Sequence, residues 1–272
     1  MTISIFYSAV ECSYFWLPLA GFIIGLAASM TGSGGGFFFL PVLVLFFHVP
    51  PQVAVATSLA ASLPIGLIGS LGHYREGHVD GKLWAVFSIT GIVGALIGAG
   101  ITNLTSPGLL KTGFGIYAIL MAIPILINYW SRKKARTVGL MQHKYLKNHK
   151  IFRGSFYGFI AGMVAGTFGT SGAAPVLAGL LTLRIPVKRV VGTSLLIVLI
   201  NTIFALGAHL VMGETDLTLV LFLAAGSGLG AYVGTKLLAG MKTGRVEAPV
   251  RLWYAIGMIV LGMVIIFSEQ QS

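Results

Sequence analysis

Acidic side chains are scarce in this chain, with seven Asp and Glu among 272 residues against 18 Lys and Arg. All seven (Glu11, Glu76, Asp80, Glu214, Asp216, Glu247 and Glu269) lie outside or at the edges of the long apolar stretches. That argues against a carboxylate proton relay or cation site at mid-membrane, because such pathways carry intramembrane acids. The single cysteine, Cys12, excludes an internal disulfide. No CxxC and no His/Cys cluster at metal-ligand spacing is present, so no metal and no cofactor is expected. GxxxxGK[ST], HExxH and a recognisable Ser/His/Asp set are also missing, which leaves no signature for a nucleotide-phosphate loop or an enzyme. The first residues carry no Lys or Arg, so they lack the basic start of a secretory signal, and the first apolar segment is expected to persist.

Charged residues make up only 9% of the chain and hydrophobic ones 56%, and the mean hydropathy is +0.91. Those values lie outside the range of soluble domains and make a lipid bilayer the expected partner. A spanning helix needs about 20 apolar residues. Six segments meet that length, over 53–72, 83–103, 109–130, 190–212, 217–239 and 249–267. Two further apolar regions, 14–47 and 152–183, are broken at their centres by TGSGGG (31–36) and GTSGAAP (169–175). Each is read as a re-entrant helical hairpin, since irregular backbone at membrane depth is tolerated only against protein or a water-filled cavity.

The two halves repeat. At an offset of 137, Gly21, Phe22, Ile23, Gly25, Gly32 and Gly35 fall on Gly158, Phe159, Ile160, Gly162, Gly169 and Gly172. At an offset of 136, Thr57, Ser58, His73, Gly77, Asp80, Gly94 and Gly98 fall on Thr193, Ser194, His209, Gly213, Asp216, Gly230 and Gly234. Eight basic residues crowd into 131–153, which the positive-inside rule places in the cytoplasm. With one hairpin and three spans per half, 17 of the 18 Lys and Arg lie inside, Lys111 being the exception. Treating each hairpin as a single crossing misplaces seven more. The expected architecture is therefore an all-α polytopic membrane protein with two inverted repeats, each a re-entrant helical hairpin plus three transmembrane helices. The repeats occupy 1–130 and 152–272, a basic cytoplasmic linker fills 131–151, and both termini lie outside. The net charge of +11 serves orientation in this reading and implies no nucleic-acid partner.

Inverted repeats with broken helices point to a transporter whose site lies where the repeats meet. A helix that starts inside a membrane presents unpaired N–H groups and a partial positive charge, which suit a small anion. The candidate donors are Ser33, Gly34, Gly35 and Gly36 in the first break and Thr170, Ser171 and Gly172 in the second. Thr57, Ser58, Thr193 and Ser194, in the spans after the hairpins, are candidates for substrate contact or for bonds to their own helices. Asn201 is an amide within a span and has Ile65 as its repeat counterpart. His73 and His209 close equivalent helices and are candidates for proton relay, gating or simple helix-end bonding. Asp80 and Asp216 directly precede spans and read as N-caps.

The run 32–41 (GSGGGFFFLP), the 166–175 element, and the spacing from Thr193-Ser194-Leu195 to His209 and from Gly213 to Asp216 resemble the sulfite exporter TauE/SafE family, over about 21–261. The resemblance implies export of a sulfur-containing anion such as sulfite, sulfoacetate or a related organosulfonate across a bacterial inner membrane, with the hairpin tips as the central site. The second tip departs from the glycine pattern, with Gly172-Ala173-Ala174 where the first has Gly34-Gly35-Gly36. An anion channel, or a membrane-embedded enzyme, is the alternative reading, and self-association into a homo-oligomer is left open.

Overall fold

A computed structural model describes residues 4–134, 149–183, 185–240 and 247–269. Among them are ten α-helices: α1 (Leu17–Thr31), α2 (Gly36–Phe46), α3 (Pro51–Arg75), α4 (Gly81–Leu104), α5 (Pro107–Lys134), α6 (His149–Phe168), α7 (Ala173–Thr182), α8 (Val187–Met212), α9 (Leu217–Gly240) and α10 (Glu247–Glu269). The expected all-α polytopic membrane fold is present, and the order of one long helix, one short helix and three long helices occurs twice. Helices α5 and α6 run into both ends of the expected linker 131–151, whose centre lies outside the described residues.

Local chemistry sets the boundaries. Asp80 accepts bonds from the Lys82 and Leu83 amides at 3.1 Å and so caps α4. Asp216 accepts from Thr218 N at 2.9 Å and from Leu219 N at 3.4 Å at the start of α9, as the sequence predicts. Proline supplies the N-cap of α3 and of α8, at Pro50 and Pro186. Among the described residues, five stretches are long and apolar enough to cross a bilayer: Cys12–Thr31, Pro51–Arg75, Gly81–Leu104, Lys188–Met212 and Leu217–Leu237. The first of these joins α1 to a preceding 3-10 turn, Cys12–Trp16, so the first arm of the leading hairpin is itself of spanning length. Its second arm, α2, has only 11 residues.

One element has no precedent in the sequence pattern. Strand β1 (Ser4–Phe6) pairs in parallel with β2 (Glu214–Asp216), with Ile5 opposite Thr215. Both strands are three residues long, too short to show alternation.

Helices α3 and α8 form the centre and run antiparallel, since Gly66, Gly69 and His73 on α3 meet Leu199, Leu195 and Gly192 on α8. The hairpin arms cross over. Pro18, Phe22 and Leu26 of α1 lie against Gly226, Gly230 and Gly234 of α9, and Phe87, Gly91 and Ala95 of α4 against Gly158, Gly162 and Gly166 of α6. Each half therefore packs its hairpin onto the fourth helix of the other half. Phe39, Phe87, Phe114, Leu195 and Leu223 are fully buried between the layers. Leu67, Ile89, Val93, Leu96, Leu221 and Leu229 are exposed on the outer faces, as lipid-facing helices require.

Candidate functional site at the paired hairpin tips

The two breaks share one backbone conformation. Gly32, Gly34 and Gly35 have φ of 79°, 70° and 79°, and their counterparts Gly169, Ser171 and Gly172 have 66°, 60° and 65°. A left-handed φ suits glycine, which lacks a Cβ. Ser171 adopts it all the same, in the place that Gly34 fills in the first tip. Each short arm starts from a glycine N-cap, Gly35 for α2 and Gly172 for α7, which has no side chain of its own to cap the helix.

The tips touch. A Cβ placed on Gly36 would lie 2.5 Å from both Gly169 O and Ser171 Oγ, so the start of α2 rests on the second tip. Gly34 lies against Val198 and Gly35 against Ile65, at the middle of α8 and α3 respectively. The predicted donors Ser33, Thr170 and Ser171 are all at most 1% exposed. Ser33 Oγ accepts from Thr31 Oγ1 at 3.0 Å, and Ser171 Oγ donates to Ser62 Oγ at 3.4 Å. Thr170 Oγ1 has no hydrogen-bond partner.

Two fasteners hold the tips. Ser58 on α3 contacts Gly169 O at 3.0 Å and its own helix's Val55 O at 2.9 Å. Ser194 on α8 contacts Gly32 O at 2.9 Å and Val191 O at 3.0 Å. The serine of each half thus clasps the tip of the other. Both hydroxyls are directed to backbone carbonyls.

The remaining predicted residues divide. Thr193 Oγ1 accepts from Asp80 N at 3.0 Å and ties α8 to the α3–α4 turn, whereas its counterpart Thr57 has a buried hydroxyl without a partner. Asn201 is fully buried against Gly91 of α4, with neither amide atom bonded. His209 Nε2 lies 2.7 Å from Gly166 O and so links α8 to α6. His73 is equally buried, with neither ring nitrogen bonded. The two histidines sit near opposite ends of the antiparallel α3 and α8, and His209 meets α6 three residues before the tip glycine Gly169. Ser62 escaped the sequence reading because its counterpart is Val198, although its place four residues after Ser58 puts it on the same face of α3.

Duplicated helical halves, apolar outer faces and two glycine-rich tips meeting at mid-helix define a polytopic membrane transporter. The chain belongs to the sulfite exporter TauE/SafE family, whose family model matches residues 17–265. It is 30% identical over 244 residues to the probable membrane transporter protein YdhB of Bacillus subtilis, covering 89% of this chain and 98% of that protein. It is 27% identical over 277 residues to YunE, another probable membrane transporter protein of Bacillus subtilis, covering 94% and 98%. A probable membrane transporter protein of Methanocaldococcus jannaschii is 28% identical over 200 residues, or 71% of each chain.

Proposed function

We propose that the protein exports a small sulfur-containing anion, such as sulfite, sulfoacetate or a related organosulfonate, through a midplane site formed by the two hairpin tips. The observation that carries this reading is the contact of the start of α2, at Gly36, with the second tip at Gly169–Ser171, where both short arms begin from glycine N-caps. Helix N-termini attract anions, the more so where water is scarce. Ser33, Thr170 and Ser171 add hydroxyl donors beside them, and no carboxylate lies within the interior of any helix to oppose a negative ligand.

In this reading the halves 1–130 and 152–272 are inverted repeats joined by a cytoplasmic linker, 131–151. The antiparallel course of the equivalent helices α3 and α8 supports the inversion. The tips as observed are closed on one another, so an anion enters when one half rocks against the other, as in transporters of inverted repeats. Ser58 and Ser194 then act as clasps whose bonds to the opposite tip must be remade in each cycle. Export of an anion follows the membrane potential, which supplies about 2.3 kcal/mol per charge per 100 mV.

The test is thermal stabilisation of the detergent-purified protein by sulfite, thiosulfate, sulfoacetate, sulfate and chloride, repeated with Ser33→Ala and Ser171→Ala. One sulfur anion is expected to raise the melting temperature selectively, with a smaller rise in each variant. No response to any anion, or responses unchanged in both variants, sinks the two-tip site.

A further inference from the structure

We propose that His73, Glu76 and His78 form a binding site for a divalent transition-metal ion of the zinc class, at the end of α3 and apart from the hairpin tips. The site arises from the way α3 ends. Gly77 takes a φ of 68°, and Gly77 N and His78 N donate to Tyr74 O at 3.0 Å and His73 O at 2.9 Å. This doubly bonded left-handed turn reverses the chain. It carries His78 back beside His73, with ring centroids 5.8 Å apart. Glu76, three residues after His73, falls between them, and its Oε2 is 3.1 Å from His78 Nδ1.

One ligand atom from each of the three residues lies within 4.8 Å of the other two. Zinc takes His nitrogen and carboxylate oxygen at about 2.0–2.2 Å in tetrahedral geometry, which sets neighbouring ligand atoms about 3.4 Å apart. Small side-chain rotations on the turn close that difference. Two imidazoles and one carboxylate with a fourth position for water make a donor set that suits zinc, cobalt or nickel and is poor for calcium or magnesium. A His/Cys spacing does not reveal the site, because the third ligand is a carboxylate and the spacing, HxxExH, depends on a turn.

His73 supplies the independent observation. Its ring is fully buried and neither nitrogen has a hydrogen-bond partner, a state that in native proteins calls for a ligand, water or ion. The repeat does not account for it, because the counterpart His209 satisfies Nε2 on Gly166 O. The matching carbonyl beside His73, that of Ser29, acts on the ring without either nitrogen reaching bonding geometry. A ligating histidine commonly turns its other nitrogen to a carbonyl, so Ser29 stands where such support is needed. The second half also lacks the other two ligands, having Met212 and Glu214 where the first has Glu76 and His78. The side chains of His78 and Glu76 are 22% and 36% exposed, which leaves an entry path from solvent.

An ion here joins the last turn of α3 to the loop that leans on α8, where His78 O and the His73 side chain already press on Gly192. The test is calorimetric titration of untagged, chelator-stripped full-length protein in detergent with Zn²⁺, and with Co²⁺ as a spectroscopic reporter of coordination. Saturable binding of one ion per chain is expected, with a tetrahedral-type Co²⁺ spectrum. Affinity is expected to fall at least about tenfold in both Glu76→Gln and His78→Ala, since even supporting residues around a metal are worth 10–100-fold. His48→Asn, at another left-handed position, is expected to bind as the parent does. Glu76 is exposed and His78 half-buried, so the two turn variants keep the test open if His73→Gln does not fold. Zn²⁺ affinity unchanged in both turn variants, or no stoichiometric binding by the parent, would overturn the site.

Discussion

Ser171 holds a φ of 60° at a tip where the other left-handed residues are glycines. A left-handed L-residue costs about 1–2 kcal/mol, and the long 3.4 Å bond to Ser62 returns only part of that. Its hydroxyl faces the start of α2 at Gly36, where the proposed anion would sit. Ser171→Gly is therefore expected to raise the unfolding free energy by up to about 1 kcal/mol while weakening stabilisation by the anion. Differential scanning fluorimetry with and without ligand reads both effects. A variant that is more stable and keeps the full anion response would remove Ser171 from the site. The sequence made Ser171 a candidate through its place in the break, but the strain that sets it apart from Thr170 is a matter of dihedral angle. Ser58 and Ser194 illustrate the same limit. Their pairing at one offset was legible, while their bonds to the opposite tip depend on residues 111 and 162 positions away.

The helices of the crossed pairs meet through glycine. On α6, Gly158, Gly162 and Gly166 recur every four residues and rest on the backbone of α4 at Phe87, Gly91 and Ala95. That spacing keeps them on one face, and the absence of side chains lets the two backbones approach. A methyl group at Gly162 would run into the Gly91 carbonyl, which cannot move aside as a flexible side chain can. Gly162→Ala is thus expected to lose about 1–3 kcal/mol or to fail to fold, as overpacking does. Gly207→Ala on α8 meets nothing within 4 Å and is expected to leave stability unchanged or slightly higher, by helix propensity. Melting temperatures of the two purified variants decide this, and equal behaviour would refute the seam. Element boundaries were readable because α3, α4, α8 and α9 obey hydropathy and capping rules. The partner of each glycine face was not readable, because neither partner helix is adjacent in the chain.

The distribution of charge orients the whole molecule. We propose from the positive-inside rule that 131–151 lies in the cytoplasm and both termini outside. The pairing of β1 with β2 agrees with this, because it ties the N-terminus to the α8–α9 connection, at the end of the molecule opposite the α3–α4 turn. Cys12 is exposed and is the only cysteine. A membrane-impermeant maleimide added outside cells, with an outer membrane made permeable where one is present, is expected to label Cys12. In a Cys12→Ala background, a cysteine replacing Thr137 is expected to react only once the inner membrane is opened. The reverse pattern would invert the topology and with it the direction assigned to the hairpins.

The sequence by itself determined the class of this protein, the helix order found among the described residues and the duplication. Hydropathy, caps and repeats are properties of neighbouring residues or of fixed offsets, and they survive without any knowledge of packing. Tertiary structure alone decided that the hairpins exchange between halves, that Ser58 and Ser194 clasp opposite tips, and that His73 is unsatisfied where His209 is bonded. Each of these depends on which distant backbone carbonyl comes within about 3 Å of a donor, a distance that hydrogen bonding demands and linear spacing does not encode.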